Sequence, residues 1–408
     1  MAKVHVLRGQ DRVFGFTLDE QGANLPLQYG PWITFKTIEL YHDEPYQGVD
    51  VSVCLDDISK YGFHLTAAHK RIAHLALEGE QAAHKNVALV LGGGGAAGNA
   101  WQIGIIAGLA EAGFDMTEVA DIVIGTSSGA TAAAHVRSGI PPAELLAAVL
   151  SPPVQPAVQT RDRPPSLPPS LPMATVFERM RAIGAAAASA ADLRLAMGAF
   201  ALERDSTLDP AAAGERRALV ASRLPCLEWP DRPMIVVAVD AQTGELAAFD
   251  RDSGVDLVDA VTAATALPGM APTHSINGAR YINGGVRSAD NADLASGYAN
   301  VLVLTPFSER NGPLPPGQFE GLRRSPEWGN DLASQVEALR KQGSRVEVIT
   351  PDADSRAAMS TNQMDLATRI PAARAGFAQG KQEATRLTTL NPAVALRAPL
   401  ISSVKPHA

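Results

Sequence analysis

The chain has 408 residues, 46% of them hydrophobic, and a formal net charge of −8. That length and apolar share can bury one large core or two. The acidic balance excludes the basic face that nucleic acid demands and any polybasic attraction to anionic lipid, so peripheral membrane contact would have to be apolar.

The first 64 residues carry short alternating runs, VHVL, VFGFTL, WITFKTIEL and VSVCL, separated by Gly, Pro and Asp. Such runs predict strands, and a helix is expected near Leu65 to Leu77 to close them. Residues 1–78 thus read as a small β-rich module of unassigned role, and the polar EGEQAAHKN leads through a linker at 79–86. From Val87 the runs VALVL, DIVIG, PMIVVAVD, NVLVLTP and RVEVIT alternate with long Ala-rich helical patterns. That alternation predicts a mainly parallel sheet with crossover helices, one α/β domain over 87–395. A Pro-rich loop at 151–173 interrupts it, since its prolines forbid a regular helix. Val176, Met180, Ile183, Leu193 and Met197 recur at helical spacing, the mark of a core stripe. Asp365 to Leu390 reads as helix, and 396–408 as a tail.

No run reaches the ~18 apolar residues of a spanning helix, and the N-terminus lacks the apolar core of a signal peptide. A cytoplasmic location is the expectation. Cys54 and Cys226 stand far apart with no metal-ligand spacing, so they read as reduced packing thiols; neither a metal nor a cofactor is expected. Oligomeric state leaves no mark in the sequence.

Two stretches carry chemistry. In VALVLGGGGAAGNAWQIGIIAGLAEAG an apolar strand runs through four glycines into a helix. Backbone amides at such a helix N-terminus bind anions, either a dinucleotide pyrophosphate, since Gly93, Gly95 and Gly98 fit GxGxxG, or the oxyanion of an acyl-transfer intermediate. The dinucleotide reading wants an acidic residue at the end of the next strand. That strand instead runs into GTSSGA, where Gly125, Ser127 and Gly129 form the GxSxG of a strand-to-helix nucleophile elbow. A plain helix-capping serine is the competing reading. A glycine loop and an elbow on successive strands place donors and nucleophile on one carboxyl edge, where open α/β sheets bind ligands.

A serine nucleophile needs a base. Apart from His135 and His274, the histidines lie in the first 84 residues or at position 407. His135 falls two turns into the helix after Ser127, and His274 on a strand before an Asn277–Gly278 hairpin turn, so neither is favoured. Further on comes YINGGVRSADNADL, with a second Asn-Gly at Asn283–Gly284. Two tight hairpins sharing four residues would be cramped, so the turn at 283–285 reads as functional.

Together GGGGAAG, GTSSGA, FDRDSGVDLVDAVTAATALPG and YINGGVRSADNADL resemble the patatin-like phospholipases, especially bacterial members, from about Val87 to Pro306, with weaker likeness to about 390. The resemblance implies a three-layer α/β/α fold and a Ser-Asp dyad without histidine, hydrolysing lipid or other acyl esters through an acyl-enzyme. It makes Ser127 the nucleophile and assigns the oxyanion hole to the amides of Gly94, Gly95 and their neighbours, within Gly93, Gly94, Gly95 and Gly98. The family's base is the aspartate of a DGG or DGA turn, and here that turn is Asn283-Gly284-Gly285. The family's glycine loop also often carries a basic residue where this chain has Ala97.

An amide cannot hold a proton near neutral pH. Three explanations compete: a weakened or non-catalytic acyl-ligand-binding member, natural or made as a variant; a substitute carboxylate from Asp290 or Asp293, in a stretch that reads as the cap and first turn of a helix; or deamidation of Asn283, to which Asn-Gly is chemically prone. A lipid acyl hydrolase leads, an acyl-binding protein on the same fold follows, and a nucleotide-binding protein is third.

Overall fold

The computed structural model describes residues 2–8, 13–26, 31–41, 51–67, 70–71, 87–151, 173–208, 211–307, 326–359 and 363–390. The expected linker, most of the Pro-rich loop and the tail lie outside them. The chain divides into two compact units, Met1–His84 and Lys85–Ala408.

The first unit holds β1 (Ala2–Arg8), β2 (Val13–Thr17), β3 (Ile33–Leu40), α1 (Val51–Tyr61), β4 (Phe63–Ala67) and β5 (Lys70–Arg71). Its antiparallel sheet has the order β3-β1-β2-β4-β5, and Val4, Val6, Phe16, Ile38 and Leu40 pack on Cys54, Leu55 and Ile58 of α1. Two expectations fail here. VSVCL is helix, because its alternation ends after five residues while Val51, Cys54, Leu55 and Ile58 bury one face at a 3.6-residue period. The helix expected from Leu65 starts instead as strand β4, which pairs with β2 from Phe63 to Ala67; residues 72–77 lie outside the described residues. Cys54 is buried as expected, whereas Cys226, expected to be a packing residue, is exposed.

The second unit runs β6 (Val87–Leu91), α2 (Gly95–Glu111), α3 (Met116–Val119), β7 (Ile122–Thr126), α4 (Ser128–Val136), α5 (Pro142–Leu150), α6 (Met173–Ala186), α7 (Ala190–Asp205), α8 (Ala212–Ala221), β8 (Met234–Asp240), β9 (Leu246–Phe249), α9 (Leu257–Ala264), β10 (His274–Ile276), β11 (Ala279–Asn283), β12 (Asn300–Leu304), α10 (Leu332–Lys341), β13 (Arg345–Ile349), α11 (Ala353–Met359) and α12 (Arg369–Leu390). Its eight-stranded sheet has the order β10-β11-β8-β7-β6-β12-β13, with β9 on β8. From β8 across to β13 the neighbours are parallel, while β9, β10 and β11 pair antiparallel.

Successive strand residues face opposite layers. Leu89, Leu91, Val123, Val236 and Leu304 pack with α2, α4, α5, α9 and α12 on one face; Ala88, Val90, Ile124, Val301 and Val303 pack with α10 on the other. The stripe Val176, Met180, Leu193, Met197 is core as expected, packed on Val239 and Ile282. The fold is therefore a mixed α/β layered structure on a mainly parallel sheet, with a separate small antiparallel sheet at the N-terminus.

Helix packing also positions the future site. A Cβ on Gly104 would lie 2.2 Å from the Ala373 carbonyl oxygen, and one on Gly376 2.5 Å from that of Trp101, so α2 and α12 cross in backbone contact. Trp101 Nε1 donates to Gln379 Oε1 across the same crossing, at 3.1 Å. The segment before α12 is thereby held against the start of α2.

Candidate active site

Two parallel strands end side by side, and each delivers one part. Beyond Leu91 the chain passes through Gly92, whose N–H donates to Leu304 O and whose carbonyl accepts from the buried Gln102 Nε2 at 2.8 Å. The Gly93 N–H donates to Ala289 O (2.9 Å), Ala97 N–H to Gln363 O (3.0 Å) and Gly98 N–H to Gly94 O (2.9 Å). Gly94, Gly95 and Ala96 keep amides with no partner among the described residues, at the head of the 17-residue α2. The expected donor set is corrected accordingly: Gly93 and Gly98 spend their amides inside the fold and contribute shape. A Cβ on Gly98 would fall 2.8 Å from Pro306 Cβ, and one on Gly93 3.3 Å from Ser127 Cβ.

On the next strand the chain turns at Ser127 with φ 56° and ψ −125° before α4 begins. A non-glycine residue rarely holds a positive φ, and here it turns the side chain out of the strand line. The flanking glycines are sterically required: a Cβ on Gly129 would meet Leu91 O at 2.0 Å, and one on Gly125 would meet Ala130 Cα at 2.5 Å. Asn99 Nδ2 ties α2 to this turn through Ser128 O (3.2 Å).

The third part arrives by sheet register. Thr126 pairs with Val237 of β8, so Ser127 comes level with Ala238, and Ala238 pairs with Asn283 of β11. Two strand spacings separate the residues by roughly 10 Å of backbone, which their side chains bridge: Asn283 Nδ2 donates to Ser127 Oγ at 2.9 Å. Asn283 is 4% exposed. Its backbone N–H is fixed on Ala266 O (2.9 Å), and its Oδ1 accepts from Gly285 N–H (2.8 Å). Gly284 is needed next to it, since a Cβ there would stand 2.3 Å from Val237 O.

The other candidates lie elsewhere. Asn277 (φ 51°) and Gly278 (φ 84°) make the expected hairpin turn between β10 and β11. His274 on that hairpin binds Asp259 (Nε2 to Oδ1 2.8 Å), and burial, ahead of that bond, lowers its pKa. His135 Nδ1 binds Thr131 O within α4. Asp293 is engaged by Arg287 (2.6 Å) and Gln335 (2.8 Å). Asp290 lies under Gly92, and its carbonyl accepts from Thr126 Oγ1. Among the described residues Asn283 alone is hydrogen-bonded to Ser127 Oγ, and neither aspartate is. The expected helix start at ADNADL amounts to one 3-10 turn, Ala292–Ala295, because Ser296 leaves the helical region and Gly297 follows at φ 86°.

Sequence reasoning missed Asn291. Fully buried and left-handed (φ 51°), it donates Nδ2 to Thr126 Oγ1 (3.0 Å), Ser288 O (2.9 Å) and Gly284 O (3.3 Å), while Arg287 Nη1 holds its Oδ1 (2.7 Å). It thus joins the residue before Ser127 to the residue after Asn283. An asparagine in a polar stretch reads as a turn or cap, and only the meeting of two distant strands reveals such a clip.

Among solved structures the chain is similar to VipD from Legionella pneumophila, at 12% identity over 74% of this chain and 67% of that one, with a TM-score of 0.34. It is also similar to the type III effector protein ExoU, at 16% identity over 73% of this chain and 54% of that one, with a TM-score of 0.27. No curated protein matches it. A family model described as patatin-like phospholipase matches residues 89–296, just over half of the chain, from the strand before the glycine loop to the turn after Asn291. The chain belongs to the patatin-like phospholipase family.

Proposed function

We propose that the site is a serine acyl hydrolase site for lipid esters in which the nucleophile and the oxyanion donors are assembled and the base is missing. Ser127 Oγ is the attacking atom, and the amides of Gly94 and Gly95 receive the oxyanion, helped by the positive end of α2. In such a dyad a carboxylate takes the serine proton as the Oγ–carbon bond forms and returns it to the departing alkoxide. Water then opens the acyl-enzyme by the same proton path. Membership of a phospholipase family supports a lipid hydrolase; the Ser127 assignment rests on the elbow geometry.

The observation that carries the reading is the 2.9 Å bond from Asn283 Nδ2 to Ser127 Oγ. Asn283 occupies the place of the dyad acid with its donor end toward the serine. Gly285 N–H needs an acceptor and takes Oδ1, so the amide presents to Ser127 an N–H that cannot accept a proton. Ser127 must release its proton to water, and turnover is slow. Deamidation would repair the base, but the succinimide route requires the side chain to swing off both its Ser127 and Gly285 partners inside a buried pocket.

An aryl-ester series assayed on the native chain, Ser127→Ala and Asn283→Asp tests this. Low native turnover, a large gain in Asn283→Asp and abolition by Ser127→Ala in that background are expected. Fast native turnover with the amide at 283 intact by peptide mapping would overturn the reading of the base.

A further inference from the structure

The segment before α12 carries mixed chemistry beside the glycine loop. Gln363 O accepts the Ala97 N–H at 3.0 Å, and Met364 Sδ stands 2.9 Å from where a Cβ on Gly95 would lie. Although these contacts pin the segment, Met364 stays 41% exposed and Leu366 61%. Asp365 caps a single 3-10 turn, Leu366–Thr368, which leads into Arg369 and α12. Three residues complete one revolution of such a turn, so Leu366 and Arg369 emerge on the same side.

Arg369 is not alone. Arg216 on α8 and Arg223 just past its end are seven residues apart, two turns, and so leave the helix on one side. Arg216 Nη2 donates to Thr265 O (3.2 Å) and Oγ1 (3.0 Å), and its buried Nε has no partner. Thr265 precedes Ala266, whose carbonyl holds the Asn283 N–H. Burial, and after it the charge of Arg223, lowers the pKa of both Arg216 and Arg369, so the three guanidiniums stand in one another's field. Among the described residues none of them meets a carboxylate, whereas Arg217, next in the chain, pairs with Asp259 at 2.6 Å.

Clustered cations without carboxylates, on a chain of net charge −8, fit anions supplied from outside, and the exposed apolar pair beside them fits an apolar phase. A phospholipid surface offers both, phosphates above acyl chains. We propose that Met364, Leu366 and the guanidiniums of Arg369, Arg223 and Arg216 form a docking face for a phospholipid surface, at the edge of the glycine loop. Met364 and Leu366 enter the acyl boundary, and the guanidiniums take lipid phosphates at contact range. The acidic chain gains nothing from long-range attraction, so the apolar pair supplies most of the binding and the arginines its preference for phosphate. The inference rests on reading the adjacent site as one for lipid esters.

Cosedimentation of the full chain with vesicles of dioleoylphosphatidylcholine tests it. The native chain should pellet with the vesicles. Leu366→Ser should weaken partitioning about three- to tenfold, and Arg369→Gln and Arg223→Gln about fivefold each. Leu195→Ser, which removes a leucine 44% exposed on α7, should stay within about twofold of the native value, as a lone surface leucine predicts. The proposal is overturned if the native chain does not pellet, if Leu366→Ser and Arg369→Gln, folded by circular dichroism, both stay within about twofold of it, or if Leu195→Ser loses as much as Leu366→Ser. A native dimer that Leu366→Ser dissociates without vesicles also overturns it, since the face would then join two copies. Soluble p-nitrophenyl butyrate scores the dyad separately. If Asn283→Asp hydrolyses it while no form binds vesicles, the docking face fails and the dyad reading stands; if the vesicle losses appear as expected while Asn283→Asp gains no turnover, the face stands and the dyad reading fails.

Discussion

Replacing one atom group at position 283 isolates the catalytic question. In Asn283→Asp the oxygen facing Gly285 N–H keeps its 2.8 Å bond, and the Nδ2 that now donates to Ser127 Oγ at 2.9 Å becomes an oxygen able to accept the serine proton. No backbone need move, because the residue is pinned by its own N–H on Ala266 O and by the strand pair with Ala238. A positioned general base is worth ~10²- to 10⁴-fold in rate, roughly 3 to 5 kcal/mol of barrier, and the variant should gain about that factor in kcat with KM little changed. The residue is 4% exposed, so burial opposes its ionisation while Gly285 N–H and Ser127 O–H favour it. Activity should therefore fall on acidification as the new carboxylate is protonated. The assay is p-nitrophenyl butyrate hydrolysis across pH, with Ser127→Ala in the same background as the blank. A folded Asn283→Asp chain within about twofold of the native rate would refute the reasoning, since the missing base would then not limit turnover.

Asn291 should behave as a positioning residue. Asn291→Gly keeps the left-handed backbone but frees Thr126 and Gly284 from their common clip; in the Asn283→Asp background kcat should drop about tenfold to a hundredfold with KM unchanged, and an unaltered kcat would remove the role. Gly129→Ala drives a methyl to 2.0 Å from Leu91 O and should destabilise by about 1–3 kcal/mol. Gly214→Ala, in open space on α8, should stabilise by about 0.5–1 kcal/mol; urea midpoints distinguish the pair, and similar shifts would contradict the packing argument. His135 has its pKa lowered by burial, with the Thr131 carbonyl opposing and Arg369 reinforcing the shift. A folded pKa below the unfolded one means that its contribution is present above the unfolded value near 6.5 and is lost as pH falls toward the folded value. His135→Gln should thus flatten the fall in Tm between about pH 7 and pH 5, and an unchanged slope by calorimetry would count against it.

Much of this molecule is written locally. The strands β6, β7, β8, β12 and β13 stand where apolar runs end in turn residues, because a run buried on both faces must be apolar at every position. The turn at Ser127 is equally local: Gly125 and Gly129 leave room that no other residue could, and the family resemblance of the ordered motifs is what makes Asn283 the expected acid position. Short stretches where two periods agree were less legible, and VSVCL became helix because burial beyond its fifth residue chose the face.

The sequence by itself determined which residue types reach the site. Only the tertiary structure decided which of their atoms meet. Which end of the Asn283 amide faces Ser127 depends on Gly285 N–H, which glycine amides remain open depends on Ala289 and Gln363 carbonyls from distant segments, and the Asn291 clip exists only where two strands far apart in the chain close together. Hydrogen-bond direction is a property of neighbours in space. A one-dimensional pattern can name the donor and the acceptor, but the fold determines which way each proton points.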